Sequence, residues 1–112
     1  MKIENIKNDE IEIISISGRL DATTASEAEQ TIIPIINDGD AKVIIDLQNL
    51  EYISSAGLRI LLLVAKNISA KNGKLCICSL TGNVKSVFEI SGFLSVFAIE
   101  NSEEDAITYL NS

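Results

Sequence analysis

The sequence has no histidine and no tryptophan, one proline, two cysteines, three phenylalanines and two tyrosines. Without histidine there is neither a Ser-His-Asp arrangement nor an imidazole base. No G-x-x-x-x-G-K-[ST] run occurs, and Gly57 and Gly73 do not make a dinucleotide fingerprint, so no phosphate cradle is expected. With that catalytic set missing, the chain reads as a protein without enzymatic activity. Scarce aromatics leave few platforms for stacking bases. The nine basic residues are scattered among sixteen acidic ones, for a net charge of −7. Direct nucleic-acid binding is therefore not expected.

Other absences bear on compartment and cofactors. Cys76 and Cys78 alternate along one segment, and side chains at i and i+2 of a strand lie about 6.6 Å apart, too far for an easy disulfide. With no histidine and no third cysteine they are expected as buried free thiols, with no metal and no cofactor. The longest apolar run, 60–65, falls far short of the ~20 residues of a membrane-spanning helix. The start Met1-Lys2-Ile3-Glu4-Asn5 has no apolar leader pattern. A cytoplasmic chain without membrane insertion is the expectation.

What is present is aliphatic. Apolar residues make up 46% of the 112, nearly all Ile, Leu, Val and Ala. A chain of this length suits one domain over 1–112, burying roughly 65% of its unfolded surface. The pattern predicts an edge strand over 2–6, a polar turn at Lys7-Asn8-Asp9 and a strand over 10–17. The apolar phase of that second strand shifts from Ile11 and Ile13 to Ile14 and Ile16, as in a strand covered on both faces or carrying a bulge. Gly18-Arg19-Leu20-Asp21 ends it. Thr24 with Glu27 resembles a capping box for a helix presenting Ala25, Ala28, Ile32 and Ile36, with a kink or restart at Pro34.

After a turn at Asp38-Gly39-Asp40, the run 43–47 reads as a strand buried on both faces. A short loop then leads to a helix over 55–71 with Leu58, Leu61, Leu62, Ala65 and Ile68 on its core face. Asn72-Gly73 stops it. A strand over 74–80, a helix over 81–90 ended near Gly92, a strand over 95–99 and a helix capped by Ser102 complete the chain. Strands alternating with about four helices give an α/β fold around a mixed sheet.

The segment richest in chemistry is Tyr52-Ile53-Ser54-Ser55-Ala56-Gly57-Leu58-Arg59, where two hydroxyls meet a helix start. By itself the pattern is satisfied by a capping serine worth about 1 kcal/mol. Gly57 in the first turn costs roughly 1 kcal/mol against alanine and implies close approach of a neighbouring backbone or a partner.

Together with Gly18-Arg19-Leu20-Asp21, Asp46-Leu47, Gly73-Lys74-Leu75 and Phe88-Glu89-Ile90-Ser91-Gly92-Phe93, that segment resembles the anti-sigma factor antagonists, which are STAS-domain proteins. The resemblance spans nearly the whole chain. It implies a partner switch: the unphosphorylated protein binds an anti-sigma factor that is also a serine kinase and frees a sigma factor. Phosphorylation ends that binding, and a serine phosphatase restores it. The family serine precedes the small-Gly-Leu run, which here makes Ser55 the phosphorylation site and Ser54 the second choice. Asp21, Ser54, Ser55, Gly57, Leu58 and Arg59 are the implied partner-binding residues. Many relatives carry aspartate where this chain has Ser54.

Two other readings remain at this stage. One is a STAS subunit that docks on the ATPase of a lipid-transport system without being phosphorylated. The other is a small nucleotide-binding domain. A possible dimer contact along the N-terminal edge strand leaves the oligomeric state open.

Overall fold

The computed structural model describes residues 1–39 and 41–112. Asp40, the last residue of the expected Asp38-Gly39-Asp40 turn, lies outside the described residues. Strands β1 (Lys2–Asn8) and β2 (Ile11–Leu20) form an antiparallel hairpin registered from Lys2 opposite Ser17 to Asn8 opposite Ile11. Asp9 takes the left-handed conformation at the turn, with φ 57°. Three further strands, β3 (Lys42–Asp46), β5 (Lys74–Cys78) and β6 (Ala98–Glu100), run parallel to β2, giving the order β1-β2-β3-β5-β6. Strand β4 (Leu50–Ile53) pairs in parallel with the last residues of β2. The helices are α1 (Ala25–Asp38), α2 (Ser55–Ala70), α3 (Gly82–Ser91) and α4 (Glu103–Leu110). The expected α/β fold with a mixed sheet and four helices is what forms.

The phase shift in β2 has a direct structural cause. Ile14 and Ile16 join the larger core, with Ala28, Ile32 and Ile36 of α1 and Leu58, Leu61, Val64 and Ile68 of α2. Ile11 and Ile13 belong to a second cluster with Ile44, Cys76, Cys78, Ala106 and Leu110 on the other face of the sheet. A strand buried on both faces must be apolar at both parities. Past Gly18, which sits at φ +89°, the register to β4 shifts by a bulge before Arg19. Each cysteine is buried and unpaired.

Several expectations are corrected. The connection after β3 is not simply a loop: Leu50 and Ile53 are buried, and burying both draws 50–53 alongside β2 as β4. The Thr24 hydroxyl does not cap α1. It accepts the N–H of Asp21 at 3.0 Å and donates to the Arg19 carbonyl at 3.0 Å, tying the preceding turn instead. Helix α1 runs through Pro34 as one segment, so of the kink or restart expected there it is the restart that does not occur. Pro34 lies on its exposed side, where solvent can take over the lost backbone bond.

The final strand begins at Ala98 rather than 95, because Phe93 and Phe97 both pack against Phe88, with ring centroids 6.4 and 6.1 Å away. That cluster curls residues Phe93–Ser95 into a 3₁₀ turn first. Leu62, expected in the core, is 37% exposed, while Ile60 and Val64 are buried. Leu58, Leu61 and Ile68 of the expected stripe are buried, and the buried face extends toward Gly57, Ile60 and Val64 instead of toward Leu62.

Candidate functional site

The entrance to α2 is built by the ends of β2 and β4. Leu20 pairs with Ile53, and the Leu20 carbonyl accepts the backbone N–H of Ser54 at 3.0 Å. Ser54 is then extended, with φ −104° and ψ 177°, and its Oγ accepts the N–H of Gly57 at 3.3 Å. That is the N-cap arrangement, satisfying one of the orphan donors at the helix start. Aspartate caps as well as serine does, so an aspartate at this position would keep the cap that Ser54 makes.

Ser55 differs from its neighbour. It is the first helical residue, its side chain is exposed, and among the described residues its hydroxyl has no hydrogen-bond partner. Gly57 is buried, and a Cβ there would stand 2.5 Å from the Leu20 carbonyl oxygen and 2.8 Å from Ile53 Cγ1. The glycine therefore serves the close approach of α2 to β2. Leu58 is 6% exposed and belongs to the core. Arg59 points outward beside Leu62 and Lys66 in a shallow groove of about 580 Å³ along the outer face of α2. Of the six implied contact residues, Ser55 and Arg59 are exposed, Asp21 and Ser54 are half-buried, and Gly57 and Leu58 lie inside.

Asp21 follows Leu20, so the parallel register sets it at the same end of the sheet as Ser54. Its Oδ1 accepts the Thr23 hydroxyl at 2.6 Å and the Thr23 N–H at 2.9 Å, and its Oδ2 lies 3.5 Å from Arg19 Nε. The Thr23 hydrogen bonds, helped by the Arg19 charge, hold its carboxyl below the usual range. A carboxylate so engaged is a weak base, and no imidazole is present, so Ser55 has no built-in activator. Sequence reasoning did not single out Arg19 and Tyr52. The Arg19 guanidinium stands 4.3 Å above the Tyr52 ring, and both residues flank the helix entrance. Their facing register on β2 and β4 was hidden because β4 itself was not foreseen.

The STAS domain family model matches residues 2–106. The chain belongs to the STAS domain family. A Bordetella bronchiseptica protein, BtrV, named for anti-sigma factor antagonism, is 42% identical over 106 residues, covering 95% of this chain and 91% of that protein. An anti-sigma factor antagonist from Mycobacterium paratuberculosis has the same fold, with a TM-score of 0.90 at 23% identity, covering 99% of this chain and 94% of that one. The Bacillus cell fate determinant SpoIIAA in its phosphorylated form aligns with a TM-score of 0.72 at 20% identity, covering 96% and 98%. No helix among the described residues is long and apolar enough to cross a membrane.

Proposed function

We propose that this STAS protein is an anti-sigma factor antagonist that docks through the entrance and outer face of α2, and that phosphorylation of Ser55 ends the docking. The partner is an anti-sigma factor that is also a serine kinase. A serine phosphatase reverses the modification, the reactions run in the cytoplasm, and the protein itself catalyses nothing. One observation carries the reading: of two adjacent serines at the helix start, Ser54 is engaged as the cap and Ser55 is exposed and unengaged.

The energetics favour a switch that leaves the fold alone. A phosphoserine brings about −1.5 to −2 charges. At the N-terminus of α2 that charge is favourable by roughly 0.3–2 kcal/mol. Desolvated without a counter-charge in an interface it costs about 2–5 kcal/mol. The corresponding loss of affinity is roughly 30- to 4000-fold.

Incubation with ATP and an anti-sigma factor kinase, followed by mass spectrometry, tests the proposal. One phosphate on Ser55, absent in Ser55→Ala, is the expected result. No phosphate on either serine, with binding to a transport ATPase instead, favours the unphosphorylated docking subunit and sinks the switch.

A further inference from the structure

The charges of this chain are segregated. Residues 52–88 hold five basic side chains and no acidic one, while all sixteen acids lie outside that stretch with only Lys2, Lys7, Arg19 and Lys42 among them. Helix α2 is the centre of the basic stretch, and Arg59 and Lys66 are its only charged side chains. Lys71, just past the helix, is used inside the fold, donating to the carbonyl oxygens of Ile36 and Gly39 at 2.7 Å each. Arg59 and Lys66 are exposed, and neither has a hydrogen bond or ion pair among the described residues.

The two cations bracket an apolar strip. Seven helical residues separate them, about 10 Å along the axis, so they stand on one side of α2. Leu62, Leu63 and Ala65 line the groove between them, and Ser69 continues it. Positions 59, 62, 66 and 69 alternate steps of three and four, the spacing by which one helix seats another.

We propose that this groove seats an acidic amphipathic helix of the protein partner, with its apolar stripe on Leu62 and Ala65 and two carboxylates seven residues apart facing Arg59 and Lys66. The inference rests on the docking reading above and adds what kind of segment fills the outer face of α2. Charge selects the occupant. The acidic remainder of the surface repels a broad anionic partner such as a membrane or a nucleic acid, whereas a single helix stays within the basic face. A second copy of this chain does not supply the stripe, because α1 exposes no large apolar side chain and α4 exposes only Tyr109. Charges at the rim of such a contact speed association and fix its register.

Two probes keep the inference and the docking reading apart. One is the anti-sigma factor kinase. The other is a synthetic helical peptide, about three heptads long, with leucines at three- and four-residue spacing flanked by glutamates, and its lysine-flanked version as control. Nitrogen-15 NMR of the full chain is expected to show the glutamate peptide shifting residues 59–69 and the lysine peptide leaving them in place. Arg59→Glu combined with Lys66→Glu should weaken both the peptide and the kinase about tenfold or more at low salt, a gap that closes at high salt. Lys85→Glu, the same charge change on α3, should stay within about twofold.

A glutamate peptide that misses residues 59–69, two peptides that bind alike, or a double variant that holds the kinase as the wild type does overturns the inference, while kinase binding itself keeps the docking reading. A kinase that fails to bind the wild type sinks the docking reading, and the peptides then decide the groove alone. Binding to phosphatidylserine vesicles, or self-association, that the double variant loses assigns the face to a membrane or a second copy and overturns the inference too. Should the double variant fail to fold, the two peptides on the wild type decide.

Discussion

The carbonyl oxygen of Leu20 receives the backbone N–H of Ser54 at 3.0 Å, and the missing side chain of Gly57 would have stood 2.5 Å from the same oxygen. A single acceptor at the end of β2 thus sets both where α2 begins and how closely it lies. The exposed Ser55 is positioned by this contact, since the residue before it is fixed at backbone and side chain alike.

Gly57→Ala should destabilise the fold although alanine is the better helix former. The propensity gain is about 1 kcal/mol. Against it stands a Cβ inside van der Waals contact of the Leu20 backbone and 2.8 Å from Ile53 Cγ1. Overpacking of this kind costs about 1–3 kcal/mol, and backbone yields less than a flexible side chain. A urea midpoint lowered in Gly57→Ala relative to the wild type is the expected outcome. A raised midpoint would mean that α2 shifts freely off β2.

The two serines should separate cleanly in stability. Ser54→Ala removes the oxygen that accepts the Gly57 N–H and should cost about 1 kcal/mol, within a range of 0.5–2. Ser54→Asp restores a capping acceptor and should recover most of it. Ser55→Ala, changing an exposed hydroxyl with no partner, should stay within about 0.5 kcal/mol of the wild type. Thermal melts of the three variants check the order, and a costly Ser55→Ala would show a structural role that the geometry does not.

Much of this was legible from periodicity alone. The phase shift from Ile13 to Ile14 announced a strand buried on both faces. The continuous run before Asp46 announced a central strand, and Ser102 followed by three acids announced α4. What escaped depended on contacts between distant segments. Residues 50–53 alternate poorly, and only the free edge at the end of β2 makes them a strand. Leu62 and Val64 are equally apolar, and their roles are decided by which side of α2 the sheet occupies. Thr24 and Glu27 matched a capping box, yet the hydroxyl found nearer partners in the turn behind it.

Leu61 and Leu62 offer a matched pair for separating core from surface. Leu61 is fully buried in the main core, and Leu61→Ala should cost about 2–5 kcal/mol. Leu62, 37% exposed in the groove beside Arg59 and Lys66, should tolerate alanine within about 0.5 kcal/mol. Partner binding should show the reverse order, with Leu62→Ala weakening docking while the fold stays intact. Calorimetric titration against the kinase checks this; unchanged affinity in Leu62→Ala would move the docking surface off the outer face of α2.

Asp21 and Glu103 should bend the pH–stability curve in opposite directions. Hydrogen bonds from Thr23 lower the Asp21 carboxyl below its ordinary 3.8, so the folded state binds its proton less readily than the unfolded chain. Its contribution is present above 3.8 and is lost as pH falls through the lower folded value. For Glu103 the folded value is raised from 4.5 to about 7, so the folded state keeps a proton that the unfolded chain releases. Its contribution is complete below 4.5, drains as pH climbs to about 7 and is level above that. Denaturant unfolding across this range should show the wild type losing ground to Glu103→Gln between those two pH values. Relative to Asp21→Asn it should lose ground only in the acid limb. A wild-type difference from Glu103→Gln that stays constant from pH 4.5 to pH 7 would mean that Glu103 binds its proton equally in the folded and the unfolded chain, with its carboxyl unshifted by folding.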